Sequence, residues 1–482
     1  EIGCRRHAMR QALQIFRKDV RLLWLPILLV LMLTTAFAWS ESEVQGTDVG
    51  IEGAGFVAVR MSGVIDFLLV VGWFYLVSAA IYQESPTGDR QFWITRPYFW
   101  KSLWAAKALL IFAFINVPFF LSDLAILFAQ NVPATAGALL RRQVVLTGVL
   151  LLPTAALAAV TRHYAQIVLT VFAGLLMLVF TAQYLNSANA SWGRLEWIPA
   201  SVFVALLLLS GVGVLGWQYR SRRTWAGRGV LIAAAVLCLG TFAIPPFGLA
   251  LVLASPFSDP PDLQGVHIAR MVSDGADVPD WSPVRVDGLP PGMRAEPELM
   301  SLTIETARGE SWNSRWHPVA HDLSYIVWEG GEGDQVNISD RAPADKRFRF
   351  QPVNIRLAVV MSVFRTDTAI PVVPDGSPVE IPGVGDCSVT TLGGLGTSSF
   401  SCRAARYPSK RVRINGTTVV GEPAGYGALL DLSPIFRNSQ GIGIGNRSET
   451  PDESFSFTTE QPLVYLRRDL VLTHVRLGAK KQ

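Results

Sequence analysis

The sequence predicts an α-helical polytopic membrane bundle of about seven transmembrane helices, followed by an all-β, sandwich-like domain. Three observations predict it. The chain is 482 residues long and half of them are hydrophobic, but the apolar residues crowd into long runs before residue 254. Beyond residue 255 the composition turns to that of an ordinary soluble domain, rich in Gly, Pro and Asp. The charge splits at the same place. Lys and Arg number 19 against 11 Asp and Glu up to residue 254, and 23 against 27 after it. The positive charge therefore sits beside the apolar runs and not on a soluble module, which argues against a nucleic-acid partner.

The elements follow in order. Residues 1–21 form a basic, amphipathic N-terminal segment. A membrane-spanning helix takes roughly 20 mostly apolar residues. Seven segments meet that need within 22–254: Leu22–Trp39, Val64–Ile81, Leu103–Leu121, Val144–Val160, Ile167–Tyr184, Ile198–Trp217 and Val230–Leu253. The first is read as a retained helix, because no small-residue cleavage pattern follows it cleanly. The third can run on through Leu124–Phe128, with Pro118 and Asp123 marking a break. Asp66 and Asp123 lie near span ends, where a carboxylate can be solvated at the interface.

Orientation follows from basic residues in the short loops. One set of loops carries 15 Lys and Arg, among them Arg17, Lys18, Arg90, Arg96, Lys101, Lys107 and Arg220. The alternate set carries only Arg60, Arg141, Arg142 and Arg194. The expectation is a multi-pass protein of the cell (inner) membrane, with a cytoplasmic N-terminus and residues 255–482 outside.

Within 255–482, apolar side chains alternate strictly at Val353, Ile355, Leu357, Val359, Met361 and Val363, and again at Met300, Leu302 and Ile304. This is the period of a strand with one buried face. Shorter strand-like runs recur at Val284–Val286, Leu323–Trp328, Arg411–Ile414, Phe455–Phe457 and Leu463–Leu472, between Gly, Pro and Asp turns. Cys387 and Cys402 flank two β-like arms around a Gly-Gly-Leu-Gly tip. A hairpin turning there sets the thiols opposite each other, which permits a disulfide in an oxidising compartment. Two unpaired core cysteines are the alternative.

Several motifs weigh little. "HPVAHD" spaces His317 and His321 like zinc ligands on a helix, but Pro318 follows the first and no glutamate stands in the base position. "GVGVLG" at Gly211–Gly216 matches a dinucleotide fingerprint in letters alone. It lies inside a span and reads as close helix packing. The N-x-[ST] triplets at Asn189, Asn337, Asn415 and Asn446 read as chance. No lysine follows a glycine, so a Walker-type phosphate loop is absent from the sequence. Catalytic residues, cofactors and metal ligands are not expected, and any ATP-driven work falls to another subunit.

The stretch "YQESPTGDRQFWITRPYFWKSLWAAK" stands between the second and third spans. Pro97 suits the first turn of a helix. From there Phe99, Trp100, Leu103 and Trp104 share an apolar face that Lys101 and Lys107 border, placed to snorkel toward the interface. With "FRKDVRLLW" at Phe16–Trp24 and "TRP" at Thr95–Pro97, the architecture over residues 10–220 resembles the membrane (permease) subunits of type-2 ATP-binding-cassette (ABC) transporters. That resemblance implies an interfacial N-terminal helix holding Arg17, Lys18 and Asp19. It also implies a cytoplasmic loop, 84–107, that docks into a separate ABC ATPase subunit, with Arg90, Trp93, Arg96, Pro97, Lys101 and Lys107 in the coupling region. It further implies a homo- or heterodimer of permease subunits in membrane lipid, exporting an unspecified substrate. The chain departs from the family in carrying "YFWK" after Arg-Pro, a seventh span and an added β domain. The alternative is a non-transporting membrane protein whose outer β domain binds a ligand or protein partner.

Overall fold

The computed structural model describes residues 2–44, 54–84, 100–187, 197–221, 224–243, 260–270, 284–314, 316–318, 352–367, 369–392, 397–406, 408, 410–414, 417–420, 432–443 and 455–476. Within them a bundle of helices precedes a region rich in β-sheet.

Helix α1 (Ile2–Leu22) passes into α2 (Trp24–Val44) through the single bent residue Leu23, whose amide still reaches the Asp19 carbonyl at 2.8 Å. Helix α3 (Ala54–Tyr82) returns alongside α2. Then come α4 (Trp100–Ile111) and α5 (Val117–Ala129), joined by a π-helical turn at Phe112–Asn116. Helices α6 (Ala136–Val145) and α7 (Leu152–Val160) are joined the same way at Leu146–Leu151. Helices α8 (Tyr164–Ser187), α9 (Trp197–Ser221) and α10 (Thr224–Ala243) complete the bundle.

Five stretches among the described residues are long and apolar enough to cross a membrane: Trp24–Ser42, Ser62–Tyr82, Trp100–Ala129, Ala136–Val160 and Ala200–Ser221. Helices α8 and α10 contribute shorter apolar stretches. The protein is therefore membrane-embedded. Helices α2, α3 and α9 are apolar nearly all round, as lipid on one side and packing on the other require. Trp73, Phe37 and Phe119 fill the interior, with Phe119 edge-on to Trp73 at 5.1 Å, while Leu25, Met32, Phe67 and Val71 stay exposed on the outer faces.

The third span is not broken at Pro118 as the sequence suggests. Proline has no N–H, and in an α-helix it orphans the carbonyl four residues back. The π-turn absorbs this by shifting the ladder, so that the Val117 amide bonds the Phe112 carbonyl and the helix runs on. Pro153 is accommodated identically, with the Leu152 amide on the Thr147 carbonyl. Gly211 is where α9 meets α7, since a Cβ there would lie 2.9 Å from that of Leu152. Gly213 and Gly216 face open space, so only one glycine of "GVGVLG" serves close packing.

Every strand pairing among the described residues of the β region is antiparallel. Strands β1 (His267–Arg270) and β2 (Val284–Asp287) form a hairpin. The large sheet draws on β3 (Met293–Thr306), β4 (Ser311–Asn313), β5 (His317–Pro318), β6 (Pro352–Thr366) and β7 (Ile370–Val372). The small sheet begins with β8 (Val379–Ile381), β9 (Gly385–Leu392) and β10 (Thr397–Ala405). Strands β11 (Arg411–Ile414) and β12 (Thr417–Val420) return to the large sheet, β13 (Ile435–Gly443) to the small one, and β14 (Phe455–Arg476) to the large. The orders are β12-β11-β14-β6-β3-β4, with β5 on β3 and β7 on β14, and β13-β10-β9-β8. Pro297 and Pro462 both sit at register shifts, as a residue without an amide donor must in an inner strand.

All six alternating residues of β6 enter one core with Met300, Leu302 and Ile304 of β3. A second core joins Val389, Phe400 and Ala404 of the small sheet to Val412, Ile414 and Phe457 of the large one, so the small sheet packs over one end of the large. His317 lies on a strand, where the helical spacing toward His321 has no meaning. His321, Leu323–Trp328, the four N-x-[ST] asparagines and residues 244–253 lie outside the described residues.

Cys387 and Cys402 are direct partners across β9 and β10 and are joined by a disulfide, with Cα atoms 4.1 Å apart. The bridge closes a loop with a sequence separation of 15. A loop of that size is worth about 3 kcal/mol. Replacing both cysteines by alanine is expected to remove about that much from the β region. Limited proteolysis of the full chain should then cleave the β region at lower temperature, with α-helical content unchanged.

Candidate functional site

Two buried ionic clusters stand at opposite ends of one helix. The first gathers α1, the end of α3 and the start of α4. On α4 the inward residues are Ser102, Leu103, Ala106, Lys107 and Leu110, one helical stripe in which Lys107 replaces an apolar side chain. On α1, Ile15 and Asp19 are one turn apart and both buried. Lys107 Nζ lies 2.7 Å from Asp19 Oδ2 and 3.0 Å from Glu84 Oε2, in the turn after α3. Lys18 closes the group by pairing with Glu84 and, at 3.6 Å, with Asp19. Asp19 and Lys107 are 0% and 2% exposed, so each is a buried group whose desolvation is offset by the opposite charges around it.

Burial pushes the Glu84 carboxyl up, but Lys107 and Lys18 outweigh it and hold the group below the ordinary glutamate range. A depressed carboxylate stabilises the fold above its unfolded pKa and loses that contribution as pH falls through the lower folded value. Glu84 thus stays ionised through neutral pH, and its share of the cluster's stability is lost only in acid. From α9, the buried Tyr219 hydroxyl feels both carboxylates, and neither it nor the Gln218 amide has a hydrogen-bond partner among the described residues.

The second cluster joins α5, α6 and the β region. Asp123 is fully buried, and Arg142 Nε and Nη2 donate to its two oxygens at 2.9 Å each. The same guanidinium donates to the Ser433 carbonyl at 2.8 Å and the Leu432 carbonyl at 2.6 Å, and lies 5.3 Å from the Phe119 ring centre. Arg406 donates to the Ser433 carbonyl as well, at 2.6 Å. Beside this clasp Arg403 reaches Gln130, which donates to the Ser42 carbonyl at the end of α2. Asp123 is therefore not solvated at an interface, as the sequence suggests. It is the counter-ion of an arginine that binds backbone carbonyls 290 residues away.

Between the clusters the two π-turns touch. Asn116, in the first, donates to Thr147 of the second at 2.9 Å and to Gln143 at 3.1 Å. Phe16 of α1 stacks on Phe114 of the first turn, ring centres 6.1 Å apart. Sixteen residues separate Lys107 from Asp123, roughly 24 Å along the helix. One helix with a π-helical turn at its middle thus carries a buried charge near each end.

Of the residues that the sequence singles out, Arg17 is exposed, Lys18 partly exposed and Asp19 buried. Lys101 is exposed, its ammonium 5.7 Å from the Trp100 ring centre, as a cation–π contact allows. Lys107 does not snorkel, because two carboxylates hold it inside. Arg90, Trp93, Arg96 and Pro97 lie outside the described residues. Sequence reasoning missed Glu84 and Arg142. The available signal was an acid just past a span end, and an arginine in a loop facing an intramembrane aspartate. Among the described residues no three His, Cys, Asp or Glu side chains gather as a metal site would require. No family model, curated protein or solved structure matches this chain.

Proposed function

We propose that the chain is a membrane permease subunit of an ABC-type exporter, working as a homo- or heterodimer with a separate ATPase. The observation that carries this reading is the Asp19–Lys107–Glu84 cluster. Residues 84 and 107 bound the loop assigned to coupling, and Asp19 belongs to the amphipathic helix beside it. A push on that loop would therefore move α1, α3 and α4 together. Helix 100–129 would carry the displacement to Asp123 and Arg142, with the paired π-turns as the place where it bends. Residues 432–435 would then shift the β domain, 255–482, over the outer exit. Such π-turns recur at functional sites.

The N-terminus is cytoplasmic in this scheme and the bundle has seven crossings. Helices α8 and α10, with 24 and 20 residues, are about 36 and 30 Å long, enough for the hydrocarbon core. Chemistry in this chain is limited to binding and conformational change, and ATP hydrolysis belongs to the partner. A non-transporting protein signalling from its β domain would use the same clasp in the opposite direction.

The test is co-purification from native membranes with an ATPase that carries a phosphate loop, for wild type, Arg96→Glu and Lys101→Glu. Each reversal is expected to lower recovery of the ATPase at least tenfold while the permease stays in the membrane fraction. A wild-type chain that never retains an ATPase, or two variants that retain it fully, would refute the coupling role.

A further inference from the structure

We propose that the outward flank of α1 is a binding site for anionic phospholipid headgroups. At about 100° per residue, Arg10, Arg17 and Arg21 fall within roughly 40° of one another on the helix circumference. All three are exposed, and none has an ion-pair partner among the described residues. Lys18 lies beyond the stripe and is already shared by Glu84 and Asp19, so it is not counted. The opposite flank, with Ile15 and Asp19, is buried against the bundle. The third flank is apolar and open, with Met9 76% and Leu13 44% exposed.

These three sectors match three surroundings. The bundle takes one, hydrocarbon the second, and the charged stripe faces whatever lies just outside the hydrocarbon. An acidic protein surface would satisfy the arginines but leave Met9 and Leu13 in water. A leaflet with anionic headgroups satisfies both at once, as for amphipathic helices that lie in the membrane plane. The chain fixes the depth. Arg21 is three residues before Trp24, which is 60% exposed at the start of a membrane-spanning helix, where tryptophan settles at headgroup level. The stripe therefore runs along the headgroup layer. The proposal rests on the membrane-embedded fold and not on the exporter reading, so either can fail alone.

The experiment uses the full chain in nanodiscs made from an equal mixture of phosphatidylglycerol and phosphatidylcholine. Native mass spectrometry then counts the lipid retained on release. A basic residue near an anionic surface is worth about 1 kcal/mol, so three correspond to roughly a hundredfold in preference for the anionic lipid. Arg10→Gln/Arg17→Gln/Arg21→Gln is expected to lose a preference of that order, and the corresponding triple lysine variant to keep most of it. Inorganic phosphate added in excess is expected to leave the lipid bound. Unchanged preference in the glutamine variant, or displacement by phosphate, would overturn the proposal. A glutamine variant that keeps its lipid but loses an ATPase partner would assign the stripe to protein docking instead.

Discussion

Replacing Lys107 by methionine is expected to destabilise the folded chain by about 3–5 kcal/mol, the cost of removing one partner from a buried ionic group. The loss is not the hydrogen bonds themselves. Methionine fills the volume of the lysine stem, so packing against Leu103 and Leu110 survives. What remains is Asp19, fully buried, and Glu84, nearly so, with only the partly exposed Lys18 to balance two carboxylates. Two like charges then share one site, and one of them must protonate or draw water inward. Thermal unfolding of the purified full chain, followed by tryptophan fluorescence, measures the cost. Lys107→Met combined with Asp19→Asn removes one charge of each sign and should recover most of the loss, because the pair is coupled. If the single variant melts with the wild type, the cluster carries no net interaction and the link from α1 to α4 falls with it. If the double variant is stable but no longer responds to the ATPase, the cluster transmits force and does more than hold the fold.

The contrast between what could and could not be read from the sequence has a physical origin. Periodicity is local, so the strand at Val353–Val363 and the strand Arg411–Ile414 were both legible residue by residue. The membrane helices were legible for the same reason, since an apolar run needs no partner to declare itself. The charged residues within them did not declare their partners. Lys107 reads as a snorkelling interfacial lysine because its carboxylates lie 23 and 88 residues away. Asp123 reads as interfacial because nothing nearby in sequence announces that Arg142 will face it from the next helix. Pro118 reads as a break, and only the ladder shift over Phe112–Asn116 shows how the helix continues past it. Burial of charge, unlike burial of carbon, is decided by tertiary contacts, and local sequence cannot place these residues.

Arg142→Met is the second large effect expected, and it acts on two structures at once. Inside the bundle it strands Asp123, whose two oxygens lose both of their donors, a cost of about 3–5 kcal/mol. Between bundle and β region it removes the bonds to the carbonyls of Leu432 and Ser433, while Arg406 still donates to the Ser433 carbonyl. The two consequences can be separated. Asp123→Leu with Arg142→Met replaces the ion pair by apolar side chains, and such replacements are often neutral or stabilising. That double variant should melt close to the wild type yet still lack the clasp, so amide exchange at Leu432, Ser433 and Ile435 should rise while exchange in α5 and α6 stays slow. Arg142→Lys should fall between, because one ammonium cannot reproduce a planar fork that serves a carboxylate and two carbonyls together. Were exchange at Leu432, Ser433 and Ile435 unaffected in the double variant, Arg403 and Arg406 would suffice to hold the β region. The long-range path from Lys107 through the π-turns would then end at Asp123 instead of crossing into the sheets.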